Sequence, residues 1–198
     1  MRTVNRLSTK LYTKICKYNN RFLIILYFIL RGILQLLSNT FKNEGGNFML
    51  NFIDTLPTDK QIAGVHCIPI NEQGMIMLAW DKDEQLITTI GGRVENSETL
   101  EEALVREVME EVGITLMEEK IPFASWYWSS TDTYTVWYLS KVKTLGKYDF
   151  QNEKTGYLIS NFLTFELLIT QLENKYAPRL QILQLAKKKA VDMQWITR

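Results

Sequence analysis

Gly91-Gly-Arg-Val-Glu-Asn-Ser-Glu-Thr-Leu100-Glu-Glu-Ala-Leu-Val-Arg-Glu-Val-Met-Glu110-Glu-Val-Gly-Ile114 is the stretch on which the reading of this chain turns. Thr99 followed by Glu102 is a capping box, with Ser97 as a competing cap, and Gly113 is a natural left-handed stop, so a helix is expected over about 99–112. At 100° per residue Leu100, Leu104, Val108 and Val112 form one apolar stripe. Glu107, Glu110 and Glu111 stand at i, i+3 and i+4 on the adjoining face, and Glu111 projects beside the stripe, away from open water. A charged helix face with no further role is the plainer reading. Yet carboxylates about 5–6 Å apart repel by roughly 1 kcal/mol in water and up to about 3 kcal/mol at an effective dielectric of 20. Arg106 alone does not neutralise three of them, whereas a hard divalent cation does, since Mg²⁺ prefers oxygen ligands and keeps several waters. The spacing therefore predicts a magnesium site on a helix face.

Working outward, Ile62–Ile70 reads as a strand, Asn71–Gly74 as a turn and Met75–Trp80 as its hairpin partner. Asp81–Glu84 reads as a solvated charged loop, and Leu86–Ile90 as a third short strand running into Gly91-Gly92. Beyond the helix, Phe123–Ser129 and Tyr134–Val142 are aromatic strands, and Tyr157–Phe162 a further one. Helices are expected near Phe165–Lys175 and from Pro178, a good first helical residue, to about Val191. Strands and helices intermixed over about 150 residues give an α/β (α+β) class with one mixed sheet.

The chain has 198 residues, 46% apolar and 23% charged, which excludes a disordered or collagen-like chain. Its net charge of +1 carries no bias toward nucleic acid, and none is expected as a stable partner. Two cysteines cannot build a disulfide framework, Cys67 reads as a buried thiol, and a cytoplasmic location follows as the expectation. The average conceals a split: residues 1–48 carry +7 and the remainder −6. Within the first part, Phe22–Leu30 and Ile33–Leu37 are apolar but interrupted by Arg31, a marginal membrane segment with no cleavage site after it. Glu44-Gly45-Gly46-Asn47-Phe48 can be encoded by a bacterial ribosome-binding sequence just before the Met49 codon. Residues 1–48 are therefore read as an extension, either a mis-assigned start or a weak membrane tether, and 49–198 as the functional domain.

Gly92, Glu98, Arg106, Glu107, Val108, Glu110, Glu111, Gly113 and Ile114 fill every specified position of Gly-x5-Glu-x7-Arg-Glu-U-x-Glu-Glu-x-Gly-U, where U is a bulky aliphatic residue. Residues 92–114 thus resemble the box of the Nudix hydrolase family, and the order of the surrounding strands is similar as well. The resemblance implies an α/β/α sandwich with a central mixed sheet, of about 130–150 residues. It also implies hydrolysis of a nucleoside diphosphate-linked substrate, with Mg²⁺ or Mn²⁺ required and water attacking phosphorus in line. Carried over, Glu107, Glu110 and Glu111 hold metal, the Gly91 carbonyl adds a ligand, and Glu98 supports the loop or reaches metal through water. Arg106 clamps Glu107. The general base is Glu107 or, from a downstream loop, Glu153.

Trp126, Trp128 and Tyr134 on the later strands, with Trp80, are candidates for stacking on a nucleobase, though such residues more often pack a core. Strand alternation puts Trp126 and Trp128 on one face and Tyr127 on the other. His66, alone of its kind, reads as structural, and Lys187–Lys189 as a solvated helix end. The proline that marks ADP-ribose hydrolases of the family is displaced, since Pro122 comes too early, and the tyrosine of dinucleoside-polyphosphate hydrolases matches Tyr134 only loosely. By elimination the resemblance points to a MutT-like hydrolase of (d)NTPs or oxidised (d)NTPs, releasing NMP and pyrophosphate. The alternatives are ADP-ribose or dinucleoside polyphosphate hydrolysis, or a Nudix-like binding module without turnover. Relatives are commonly homodimers.

Overall fold

Ile76, Met77, Leu78 and Ala79 are all buried, so both faces of their strand must be covered. The computed structural model describes residues 49–147, 154–173 and 177–197, and shows how. The eight strands among the described residues are β1 (Met49–Phe52), β2 (Gln61–Ile70), β3 (Ile76–Asp81), β4 (Leu86–Thr88), β5 (Ile90–Arg93), β6 (Ile114–Trp128), β7 (Thr133–Leu145) and β8 (Lys154–Ser160). The helices among the described residues are α1 (Leu100–Val112), α2 (Phe162–Leu172) and α3 (Pro178–Asp192). The sheet runs β1-β6-β7-β2-β3-β4, with β5 on β2 and β8 on β3. β2 and β7 are parallel and the other pairs antiparallel, so the sheet is mixed.

Helix α1 packs on one face, where Leu104, Val108 and Val112 meet Val65, Cys67 and Met77. Helices α2 and α3 cover the other through Phe165, Ile169, Leu183 and Ala186 against Ile68, Leu78 and Leu139. The arrangement is the expected α/β/α sandwich. Alternation along β2 explains it: Val65 and Cys67 turn to the α1 side, Ile68 and Ile70 to the other.

Several expectations need correction. β3 is the antiparallel hairpin partner of β2 expected from the turn, but pairs with it only at Ile70–Ile76; most of its ladder is made with β8, from Ile76–Ser160 to Asp81–Lys154. The strand expected over Leu86–Ile90 is two strands, β4 pairing with β3 and β5 with β2. β6 begins at Ile114, well before Phe123, and passes an irregular register between Leu116 and Lys120. Phe162 opens α2 and does not end a strand, because Asn161 caps it by accepting from the Thr164 N–H at 2.8 Å. Asp81 is no solvated loop residue but closes β3, 6% exposed. Lys189 likewise is buried and ion-paired with Asp54, Lys187 bonds Glu166, and Lys188 lies over the Phe52 ring, so that helix end is not simply solvated.

Among the described residues no helix is long and apolar enough to cross a membrane. Residues 1–48, with the apolar run Phe22–Leu37, lie outside the described residues, as does Glu153.

Candidate active site

Helix α1 starts and stops where its sequence dictates. Thr99 Oγ1 accepts from the Glu102 N–H at 3.2 Å while Glu102 Oε2 accepts from the Thr99 N–H at 2.8 Å, a complete capping box. Ser97 is not the cap. At the far end Gly113 sits at φ 66°, and its N–H reaches the Met109 carbonyl at 3.0 Å. The buried stripe fixes the rotation of the helix, so Arg106, Glu107 and Glu110 face the β5–α1 loop and Glu111 turns inward, 5% exposed.

One guanidinium organises the outer carboxylates. Arg106 donates from Nε to Glu98 Oε1 at 2.7 Å and from Nη2 to Glu98 Oε2 at 3.0 Å, a bidentate pair. Its Nη1 donates to Glu107 Oε1 at 2.9 Å and to Glu110 Oε2 at 3.2 Å, and Nη2 also reaches the Arg93 carbonyl at 3.1 Å. The bond from Arg106 holds the Glu98 carboxyl below its ordinary value, and Glu98, then Glu107 and Glu110, push the guanidinium further up. Arg106 thus bonds Glu98 on the loop side and Glu107 and Glu110 on the helix.

The two glycines are required by close approach. Gly91 has φ 141°, and a Cβ there would collide with the Val65 carbonyl oxygen on β2. At Gly92 a Cβ would lie 2.5 Å from Glu107 Oε1, so the Glu107 carboxylate occupies the space a side chain would fill. The Gly91 N–H donates to Glu111 Oε2 at 2.8 Å, which ties the inner carboxylate to the loop.

Glu111 also faces a cation that sequence reasoning missed. Lys154 Nζ stands 3.6 Å from Glu111 Oε1 and donates to Asp81 Oδ2 at 2.8 Å, itself only 6% exposed. Asp81 Oδ1 accepts from the Asp83 and Glu84 N–H groups, both at 2.9 Å. Burial would raise the Asp81 carboxyl, but these bonds and Lys154 outweigh it and hold it below its ordinary value. Arg106 is therefore not the lone counter-charge of the three glutamates, since Lys154 faces Glu111 as well. Lys154 and Asp81 are 73 residues apart, and no local pattern announces their pairing.

With Arg106 and Lys154 engaging them, no three His, Cys, Asp or Glu side chains among the described residues converge into a ready-made metal cage. The donor set nonetheless suits a hydrated hard cation. Mg²⁺ is commonly held by one or two carboxylates, with water and phosphate oxygens completing the shell. Glu110 is 52% exposed and offers hard oxygens at the surface, while Glu107, more buried, fills the cradle over Gly92.

The expected substrate residues divide. Trp126 and Trp128 stack at 5.6 Å between centroids, and Trp126 and Trp80 pack against the core on the face opposite α1. Tyr134 instead meets Tyr127 and donates weakly to Asp59 at 3.5 Å. His66 is structural: it stacks on Trp137 at 5.4 Å, and burial pushes its pKa down to about 4. Cys67 is a buried free thiol.

The family model for the NUDIX domain matches residues 60–185. The chain belongs to the Nudix family. Membership, with every box position intact, makes it a hydrolase acting on pyrophosphate bonds, in a family that uses divalent cations and small nucleotide-linked substrates. A variant of the Bacillus subtilis pyrophosphohydrolase BsRppH has a similar structure, at 23% identity and TM-score 0.59, over 75% of this chain and 92% of that one. That likeness shows the Nudix fold. MutT as described from Aliivibrio salmonicida and Vibrio cholerae aligns at 21% identity and TM-score 0.45, over 61% and 92%. No curated protein sequence matches significantly.

Proposed function

We propose that this Nudix protein is a Mg²⁺-dependent pyrophosphohydrolase of nucleoside triphosphates, canonical or oxidised, releasing NMP and pyrophosphate. The observation that carries the reading is the single guanidinium of Arg106, which spaces Glu98, Glu107 and Glu110 at 2.7–3.2 Å beside the Gly91-Gly92 loop. Glu107, Glu110 and Glu111 would hold Mg²⁺ or Mn²⁺, with the Gly91 carbonyl as a further ligand. When bound, the cation supplies screening of the phosphate oxygens and a more acidic water.

The rest falls to the chain's own groups. Arg106 keeps Glu107 in one orientation, which suits it to take a proton from the attacking water; Glu153 is the other candidate base. Gly92 leaves room for that carboxylate, and preorganisation of this kind is what positioned catalysis requires. Glu98 buttresses Arg106 from the loop side. Trp80, Trp126, Trp128 and Tyr134 are the candidates for contact with the base. The displaced Pro122 and the loosely placed Tyr134 disfavour ADP-ribose and dinucleoside polyphosphates.

The test is hydrolysis by the purified full chain with Mg²⁺, across canonical and oxidised (d)NTPs, ADP-ribose, dinucleoside polyphosphates and nucleotide sugars. Turnover of (d)NTPs that collapses in Glu110→Gln supports the reading. Preference for another class refutes the substrate assignment, and folded protein inert on every class favours a binding module.

A further inference from the structure

Lys154 is buried between two carboxylates, and only one of them is needed to balance it. Its ammonium donates to Asp81 Oδ2 at 2.8 Å and approaches Glu111 Oε1 at 3.6 Å, and all three side chains are less than a tenth exposed. Burying three charges costs several kcal/mol per ion before pairing, so such a group survives only when its geometry is well defined. Asp81 supplies that definition. Its second oxygen is held by the Asp83 and Glu84 amides, which fixes the carboxylate to the turn after β3 and, through it, the ammonium against Glu111. On its other side Glu111 is held by the Gly91 N–H at 2.8 Å.

We propose that Lys154, anchored by Asp81, is a built-in counter-cation of the metal site: it positions Glu111 before a divalent ion arrives and sets how tightly that ion is held. The inference rests on the reading of the box as a metal site. Lys154 is a positioning residue, acting on the ion through Glu111. A fixed positive charge within one carboxylate's reach of a divalent ion repels it, and even with water-like screening the repulsion is worth on the order of tenfold in affinity.

The test is Mn²⁺ binding by the full chain without nucleotide, followed by the electron paramagnetic resonance signal of free Mn²⁺. Lys154→Met removes the charge while keeping most of the length of the side chain, and Mn²⁺ affinity is expected to rise on the order of tenfold. Asp81→Asn keeps the charge but releases its anchor, and affinity is expected to fall. A purely structural ion pair predicts no such opposition of sign, because either substitution would loosen the site. Should Lys154→Met not fold, the double substitution Asp81→Asn/Lys154→Met removes the Asp81 charge together with its counter-ion and leaves Glu111 held by the Gly91 N–H, and tighter binding than wild type is again expected. Unchanged or weaker binding in whichever Lys154 variant folds overturns the proposal. If the wild type takes up Mn²⁺ in a Glu110-dependent way, that failure is the proposal's alone. A wild type that takes up no Mn²⁺ overturns both the proposal and the metal-site reading.

Discussion

Replacing Gly92 by alanine is expected to disable the site while sparing the fold. The new Cβ would stand 2.5 Å from Glu107 Oε1, 2.8 Å from Cδ and 2.9 Å from Oε2, so no rotation of the carboxylate relieves all three contacts. Ordinary contact begins near 3.4 Å, and the group must therefore retreat by nearly 1 Å. That retreat breaks the 2.9 Å bond from Arg106 to the same oxygen. Misplacement of about 1 Å in a positioned group costs on the order of 10²-fold in turnover. The stability cost should stay near 1 kcal/mol, since the obstruction is a side-chain end and the lost bond lies close to the surface. Gly91→Ala provides the contrast, because its Cβ meets the β2 backbone at a positive φ, and loss of the fold is expected. Steady-state pyrophosphate release beside thermal unfolding separates the two variants. A Gly92→Ala protein that keeps turnover within about threefold of wild type would refute the claim that the Glu107 position matters.

His66 gives a pH prediction assigned to a single side chain, since the chain has one histidine. Its pKa is about 4 folded against 6.5 ordinarily, so the unfolded chain binds the extra proton between those values. Its contribution is complete above pH 6.5 and disappears as pH falls toward 4, about 3 kcal/mol in all. Proton NMR of the ring should show it neutral at pH 6, and His66→Phe, which keeps an aromatic against Trp137, should flatten the stability slope over that window. Thr99→Ala removes the cap of α1 and should cost about 1 kcal/mol, a fall in Tm of about 2–4 °C by calorimetry.

The parts of the molecule legible from sequence are those whose causes are local. Helix α1 was readable to within a residue because its cap, apolar stripe and stop all lie inside it, and the buried position of Glu111 followed from the same wheel. Strand partners were not. The turn Asn71–Gly74 suggests a hairpin, and its Asx bonds do form, yet β3 spends its ladder on β8, which arrives from the far end of the chain. The first part of β6 was hidden because Glu118, Glu119 and Lys120 interrupt the alternation where the register slips. Lys154 escaped for a deeper reason. A lysine opening a short strand looks like any surface lysine until the fold delivers Asp81 and Glu111 to it.

The Arg106-centred carboxylates are expected to serve cleavage between the α and β phosphates of a nucleoside triphosphate. Phosphorus NMR of the products from a (d)NTP incubated with the full chain and Mg²⁺ tests it most directly. NMP and pyrophosphate are the expected products, abolished by chelator and by Glu110→Gln. Orthophosphate with NDP, or hydrolysis that survives both treatments, would contradict it.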